Sequence, residues 1–492
     1  MNGFSGHRRQ QAIRLMRGGQ LSCAAVAVFL AVPGAAHAET LADAVAQAYR
    51  TNPTLLGQRA QLRGLDETYV QARAGYRPTI GLYADGSHQD VQGAAQNDSD
   101  YGLSLSQPVY TGGRVTAEIN AARGDILSGR EALRQTESNV LRAVVGAYVD
   151  VRRDEQAYAI RQKDLEDLTT QVHENQTRFE AGDLTRTDVA QSQASQAAAR
   201  ALLAQAQAQL AISRATYASV VGQMPGALEP EPDLPVLPAT IDQALDLAER
   251  NSPVVRGAKY DEKASRERIA EARAEGLPQV NLRATWGYEN NRSNYLPDLY
   301  GRALTGSASF SQPLFAGGAI QSRIRQASER NTSDKLRVDQ TVRDVTLRAA
   351  RAWNQFGAAQ TSIAASQAEV EAATVAYDGT EIERKAGQRT TLEVLAAEQA
   401  KRDAELNLVN ARHDIYLAQA DVLGAVGLLE ARFLIPSSPL YDPTKPFNRV
   451  KGKGFVPWEP LIAGVDGLAV PRLEALSDVK PEAAPPRSDR GH

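Results

Sequence analysis

One phrase occurs twice in this chain: SQPVYTGGR begins at Ser106 and SQPLFAGGA at Ser311. Internal repetition constrains a fold more than any local pattern, because each copy must build the same unit. The segment TLADAVAQAYRTNP from Thr40 pairs with TIDQALDLAERNSP from Thr240 at an offset of 200 residues, which still holds at Pro78 and Pro278. From the repeated phrase onward the offset is 205, linking Pro108 with Pro313, Gly182 with Gly387 and Gly222 with Gly427. The five extra residues fall between Trp286 and Ser309, where an exposed loop absorbs an insertion. Two internal repeats are therefore predicted, 39–226 and 240–430. They are joined by a proline-rich linker at 227–239 whose EPEPDLPVLP reads as an extended strap. Residues 431–492 read as a tail, partly extended or disordered.

Each repeat reads as helix, hairpin, long helix, tight turn and returning helix. In the hairpins the residues alternate: Ile80, Leu82 and Ala84 share a face, as do Tyr101, Leu103 and Leu105 against Gly102, Ser104 and Ser106. The second repeat sets Val280, Leu282, Ala284, Trp286 and Tyr288 against Asn281, Arg283 and Thr285, with Leu304, Ala308 and Phe310 completing the set. Apolar-out, polar-in strands of about ten residues match the wall of an outer-membrane barrel. Four strands cannot close such a barrel, so copies of the chain must pool theirs. A soluble hairpin pair packed on helices is the competing reading. Trp286 and Tyr288 fit either an interfacial aromatic girdle or ordinary strand packing.

The helices favour the barrel. No proline occurs from Val115 to Glu180, which makes a rod of about 100 Å at the helical rise. Ile119, Ile126, Leu133 and Val140 step by seven, a stutter leads to Val151, and sevens resume through Tyr158, Leu165, Val172 and Phe179. Most of this seam recurs 205 residues later. Between strand and rod, Pro108 with Gly112 and Gly113, and Pro313 with Gly317 and Gly318, mark an abrupt change of element. Gly182 and Gly387 are placed to end the rods, in EAGDLTRTD and KAGQRTTLE.

Residues 1–38 carry Arg8, Arg9, Arg14 and Arg17 without an acid, then an apolar run and Ala36-His37-Ala38, the pattern of a secretory signal cleaved before Glu39. Cys23 precedes the apolar run, which disfavours a lipid anchor. Cleavage removes that single cysteine and shifts the formal charge from −3 to −7 with the loss of four arginines. No thiol remains for redox chemistry, and an acidic chain argues against a nucleic-acid partner. Beyond residue 38 no run of 18 apolar residues offers a membrane-spanning helix. No Walker loop, nucleophile elbow, HExxH or Cys-x-x-Cys is present, and His88, His173, His413 and His492 are scattered, so neither an enzyme, a metal site nor a cofactor is predicted.

The paired junction phrases, the duplicated halves and the Ala-Gly turn followed by Thr and an acid together resemble the TolC family of outer-membrane export channels. The resemblance covers nearly all of residues 40–430. It implies a homotrimer in outer-membrane lipid, with a twelve-stranded barrel of four strands per protomer continued by a helical coiled-coil tunnel in the periplasm. Each protomer then passes twice from barrel to tunnel. It further implies a passive exit duct for protein secretion or efflux, a periplasmic adaptor docking at the turns (Gly182, Asp183, Leu184, Gly387, Gln388), and an inner-membrane ABC or proton-driven transporter beneath.

By motif, Asp188, Arg389, Glu393 and Arg412 are carried over as a periplasmic gate. The chain departs from the family at Arg384, where relatives can show an aromatic, and at Ala396, where they show a second ring acid. Helix capping competes for the same acids, since Thr390-x-x-Glu393 is a capping box and Thr185-x-x-Asp188 a shorter version. The rival to a duct is a non-conducting coiled-coil spacer of the cell envelope.

Overall fold

The computed structural model describes residues 38–91, 94–291, 299–436 and 438–469. The expected signal segment with Cys23, the two hairpin tips, where the five-residue insertion falls, and the polar C-terminal end lie outside the described residues, apart from Ala38. In chain order the first half contains α1 (Leu41–Thr51), α2 (Pro53–Ala74), β1 (Thr79–Val91), β2 (Ala94–Tyr110), α3 (Arg114–Glu180) and α4 (Arg186–Val221). The second contains α5 (Ile241–Asn251), α6 (Pro253–Ala274), β3 (Gln279–Asn291), β4 (Leu299–Ser311), α7 (Ala319–Lys385) and α8 (Thr391–Ala425). Three short helices follow: α9 (Ala431–Leu434), α10 (Thr444–Val450) and α11 (Glu459–Asp466).

The leading helix expected in each half is two helices, broken before Pro53 and Pro253. Proline lacks the N–H that would continue a helix but suits the first position of a new one. At the first break Asn52 restarts the chain, its side-chain oxygen accepting from the N–H groups of Thr54 (3.0 Å) and Leu55 (3.4 Å).

The strands form one antiparallel sheet in the order β1-β2-β3-β4. They run 13 to 17 residues, longer than the expected ten. Register aligns the apolar residues across all four: Leu82 lies opposite Leu103, Leu103 opposite Trp286, and Trp286 opposite Leu304. That face is bare, with Leu82 86%, Trp286 55% and Leu304 77% exposed. The outer edges of β1 and β4 have no strand partner among the described residues.

The two junctions differ. β2 continues through Pro108 to Tyr110, with a register shift between them, because β3 supplies a partner there. β4, on the edge, stops at Ser311. Both then turn through paired left-handed glycines, Gly112 (φ 67°) and Gly113 (φ 82°), Gly317 (φ 59°) and Gly318 (φ 82°), a conformation that costs other residues about 1 kcal/mol or more.

α3 and α7 are each 67 residues long. α3 lies along α4, α6 and α8, while α7 lies along α8 and α6. The main core joins α1, α3, α4 and α8 around Leu41, Val45, Tyr148, Tyr217 and Leu423, all nearly or fully buried. The seven-residue seam is buried at Leu133, Val140 and Val151, half-buried at Tyr158 and Leu165, and 38% exposed at Phe179. Packing thus loosens toward the far tip of the rods. At the other end the tail folds back: Phe447 of α10 meets Tyr69 of α2 edge-on, ring centres 5.2 Å apart.

Candidate gate at the helical tip

Both rods end in the same way. Gly182 (φ 87°) donates to the Phe179 carbonyl at 3.0 Å and Asp183 to the Arg178 carbonyl at 2.9 Å. Gly387 (φ 77°) donates to Arg384 and Gln388 to Glu383, each at 2.9 Å. This closes the last carbonyls of each helix and turns the chain sharply. Asp183, Gln388 and both glycines are exposed and Leu184 is half-buried, so the turns form a free end surface.

Capping then starts the returning helices. The Asp188 N–H donates to the Thr185 hydroxyl oxygen (3.3 Å), and the Thr185 N–H donates to the Asp188 carboxylate (3.1 Å). Thr390 and Glu393 repeat this at 3.3 and 2.8 Å. Glu393 does more than cap. One carboxylate oxygen takes the Thr390 N–H, and the other accepts from Arg389 at 2.8 Å. Arg389 also donates to Glu383 at 2.8 Å, spanning the turn from the end of α7 to the start of α8. The Thr390 backbone N–H, with Arg389 and the Thr390 hydroxyl, pulls the Glu393 carboxyl down to about 2. The two flanking carboxylates raise Arg389 above its already high value.

The structure therefore brings Arg389 and Glu393 together and places Asp188 in the equivalent cap on α4. It does not bring Arg412 to them. Arg412 is exposed on α8, 19 residues from Glu393, about 28 Å along the helix. The residue beside it is the engaged one: His413 meets Asp150 of α3 at 2.8 Å and Asp414 at 2.9 Å. Burial alone would lower the His413 imidazole; the hydrogen bonds it donates to those two carboxylates reverse this and raise it.

Sequence reasoning also missed a buried cation. Arg402 of α8, its side chain 8% exposed, is ion-paired to Asp167 of α3 and lies 3.7 Å from Asp164, 3.8 Å from Glu398 and 3.3 Å from Glu405. Arg142 pairs with Asp421 farther along the same interface. The acids three and four residues from Arg402 carried a signal, but only as an ordinary helix-surface pattern. Nothing local tells that α3 approaches. Among the described residues no group of three or more His, Cys, Asp or Glu is placed to hold a metal.

An exposed apolar sheet continued by rods of about 100 Å that end in capped, ion-paired turns is the architecture of an outer-membrane channel protein. The chain belongs to the outer membrane efflux protein family, whose profile matches residues 44–223 and 244–428. It is 33% identical to the outer membrane efflux protein BepC of Brucella suis biovar 1 (strain 1330), over 86% of this chain and 92% of that one. It is 25% identical to the outer membrane protein TolC of Escherichia coli (strain K12), over 81% and 84%. The fold matches the open state of the MtrE outer membrane channel of Neisseria gonorrhoeae with a TM-score of 0.68 at 21% identity, covering 80% of this chain and 90% of that one. The protein is an export channel of the outer membrane, with its helical tunnel in the periplasm, from a family of channel proteins rather than enzymes.

Proposed function

We propose that three copies close one twelve-stranded barrel and one tunnel, forming the passive exit duct of a tripartite export system. The observation that carries this is the open four-stranded sheet, with an exposed apolar band of Ile80, Leu82, Leu103, Leu282, Trp286, Leu304 and Phe310 across one face and no strand partner at either outer edge among the described residues. Lipid satisfies neither N–H nor carbonyl, so such a sheet is stable in a membrane only once its edges meet. A non-conducting spacer needs no second, polar sheet face, yet Ser104, Ser106, Asn281, Arg283 and Thr285 line one.

The tip is the gate in this reading. Arg389 and Glu393 hold the α7–α8 turn in shape, Asp188 does so for the α4 start, and exposed Arg412 is left for a neighbouring copy. The two end surfaces around Gly182, Asp183, Leu184, Gly387 and Gln388 are the docking points for a periplasmic adaptor. With no nucleotide motif in the chain, an ABC or proton-driven transporter of the inner membrane supplies the energy. Cargo is either a secreted protein or small molecules. Arg384 and Ala396 remove one aromatic and one acid from the constriction, which predicts weak block by cations.

Light scattering in detergent combined with planar-bilayer recording tests this. The expected result is a trimer with small, stable conductance that rises several-fold in Arg389→Ala. A water-soluble monomer, or a trimer that never conducts, overturns it.

A further inference from the structure

Between α3, the start of α6, α7 and α8 lies an open cavity of about 470 Å³, away from both the sheet and the tip. Its charges are one-sided. Arg142 of α3 and Arg348 and Arg351 of α7 line it against a single carboxylate, Asp421 of α8. Asp421 is already ion-paired to Arg142. The Arg348 guanidinium reaches the Asp344 backbone carbonyl at 3.4 Å, and that of Arg351 has no partner among the described residues.

Two buried hydroxyls line the same space. Ser138 of α3 is 8% exposed, and Ser252, just ahead of α6, is 4% exposed. Neither hydroxyl is hydrogen-bonded to another described residue. Buried hydroxyls without partners are destabilising, so a pair of them around one cavity marks a place for a hydrogen-bonding guest. The internal repeat sharpens the point. Asn52, 200 residues before Ser252, caps α2 by accepting from the N–H groups of Thr54 and Leu55. Ser252 makes no such bond to α6. The positive end of a 22-residue helix therefore opens on the cavity at Val254.

We infer that this cavity binds a soluble phosphate-bearing anion, its oxygens accepting from Ser138, Ser252 and the start of α6 and its charge matched by Arg348 and Arg351. A phosphate monoester brings about two negative charges and three terminal oxygens, whereas a carboxylate brings one charge and two oxygens. The cavity is larger than a phosphate group, which leaves room for an ester. A lipid phosphate does not fit the place, since Arg142 lies 28 residues beyond Arg114 at the start of α3, about 42 Å along the rod from the sheet. The site is built within one protomer and depends neither on the number of copies nor on the gate. A bound anion shares Arg142 with Asp421, so its presence bears on the tie between α3 and α8.

The test is calorimetric titration of the full chain in detergent, in chloride buffer at fixed ionic strength, with inorganic phosphate, glycerol 3-phosphate and succinate. The expected result is one phosphate per chain, saturating at millimolar concentration or below. Tighter binding of glycerol 3-phosphate than of inorganic phosphate identifies an ester as the guest; the reverse identifies the free ion. Arg351→Ala and Ser252→Ala should each weaken binding about tenfold, the loss of one hydrogen bond to a charged group. Arg337→Ala, exposed on α7 outside the cavity, should leave it unchanged. Thermal melts without phosphate report whether each variant folds, and Ser138→Ala serves as a second hydroxyl variant. No saturable binding of either phosphate at millimolar concentration means that the hydroxyls hold water alone, and overturns the inference. Equal weakening by Arg337→Ala means diffuse attraction to surface charge, and succinate binding as tightly as phosphate removes the phosphate assignment; either result overturns it too.

Discussion

Asp66 shows how one misfit side chain makes a whole protein pH-dependent. It lies on α2, 1% exposed, with neither carboxylate oxygen hydrogen-bonded. Burial pushes its carboxyl up to about 6, against the pull of Arg130 and Arg63 and with a small push from Glu67. Because the folded value lies above the unfolded one, the protonated form is the stabilised one. The group's contribution is full below about pH 4 and is lost as pH rises through 6. Asp66→Asn should therefore flatten the pH profile and stabilise the protein at pH 7 by about 2 kcal/mol, read as thermal melts between pH 4 and 7. Glu393 has the opposite sign. Its lowered carboxyl contributes fully above the unfolded value and is lost only as pH falls through about 2. Closed-state conductance should thus not respond to Glu393 between pH 7 and 4, and Glu393→Gln should leave the slope over that range unchanged while raising its level.

At the level of elements, the start of α3 depends on a residue from the far end of the chain. Gly113 has no side chain to cap the helix, so Asp466 does so. One carboxylate oxygen accepts from the N–H groups of Thr111 (2.7 Å) and Gly113 (3.0 Å) and from the Thr111 hydroxyl, and the other from the hydroxyls of Tyr76 and Thr116. Beside it, buried Glu459 accepts from Arg73 (2.7 Å) and Arg77 (3.2 Å). Asp466→Ala would lose a cap and strand buried donors, a cost of about 3 kcal/mol. Urea unfolding of the detergent-solubilised protein measures it, and Asp466→Asn, which keeps part of the cap, should lose less. The contrast marks what a sequence carries. Strand faces, rods, turns and the capping boxes at Thr185 and Thr390 were legible, because each is written in residues a few places apart. The Asp466 cap joins positions 355 apart, and Arg402 meets Asp164 only because α3 and α8 pack together. The break at Pro53 was legible in principle, but the apolar period runs across it and suggested one helix.

For the whole molecule, three ionic rungs tie α8 to α3: Arg142 with Asp421, Asp150 with His413, and Arg402 with Asp164 and Asp167; if the proposed gate opens by moving α7–α8 against α3–α4, they resist it. They differ in how they respond to solution. Arg142 and Asp421 are exposed enough for salt to screen them. His413 stabilises the fold in its charged form, so its contribution is present below the unfolded imidazole value and fades as pH rises through the raised folded one. Arg402 is 8% exposed, and burial raises the carboxyls of Glu398 and Asp164 beside it despite the guanidinium. That rung is the one salt screens least, although the raised carboxyls make it weaken sooner than an ordinary pair as pH falls; at neutral pH it should be the firmest restraint between α3 and α8. Arg402→Met leaves its acids facing one another without a cation, a loss of about 3 kcal/mol, and should both lower the melting temperature and raise bilayer conductance several-fold. Adding Glu398→Gln and Asp164→Asn removes the uncompensated charge and should recover the melt more than the conductance, since no bond across α3 and α8 is rebuilt. If the single variant melts earlier but conducts as before, the cluster supports the rods without restraining the tunnel, and the barrier to opening lies at the tip around Arg389.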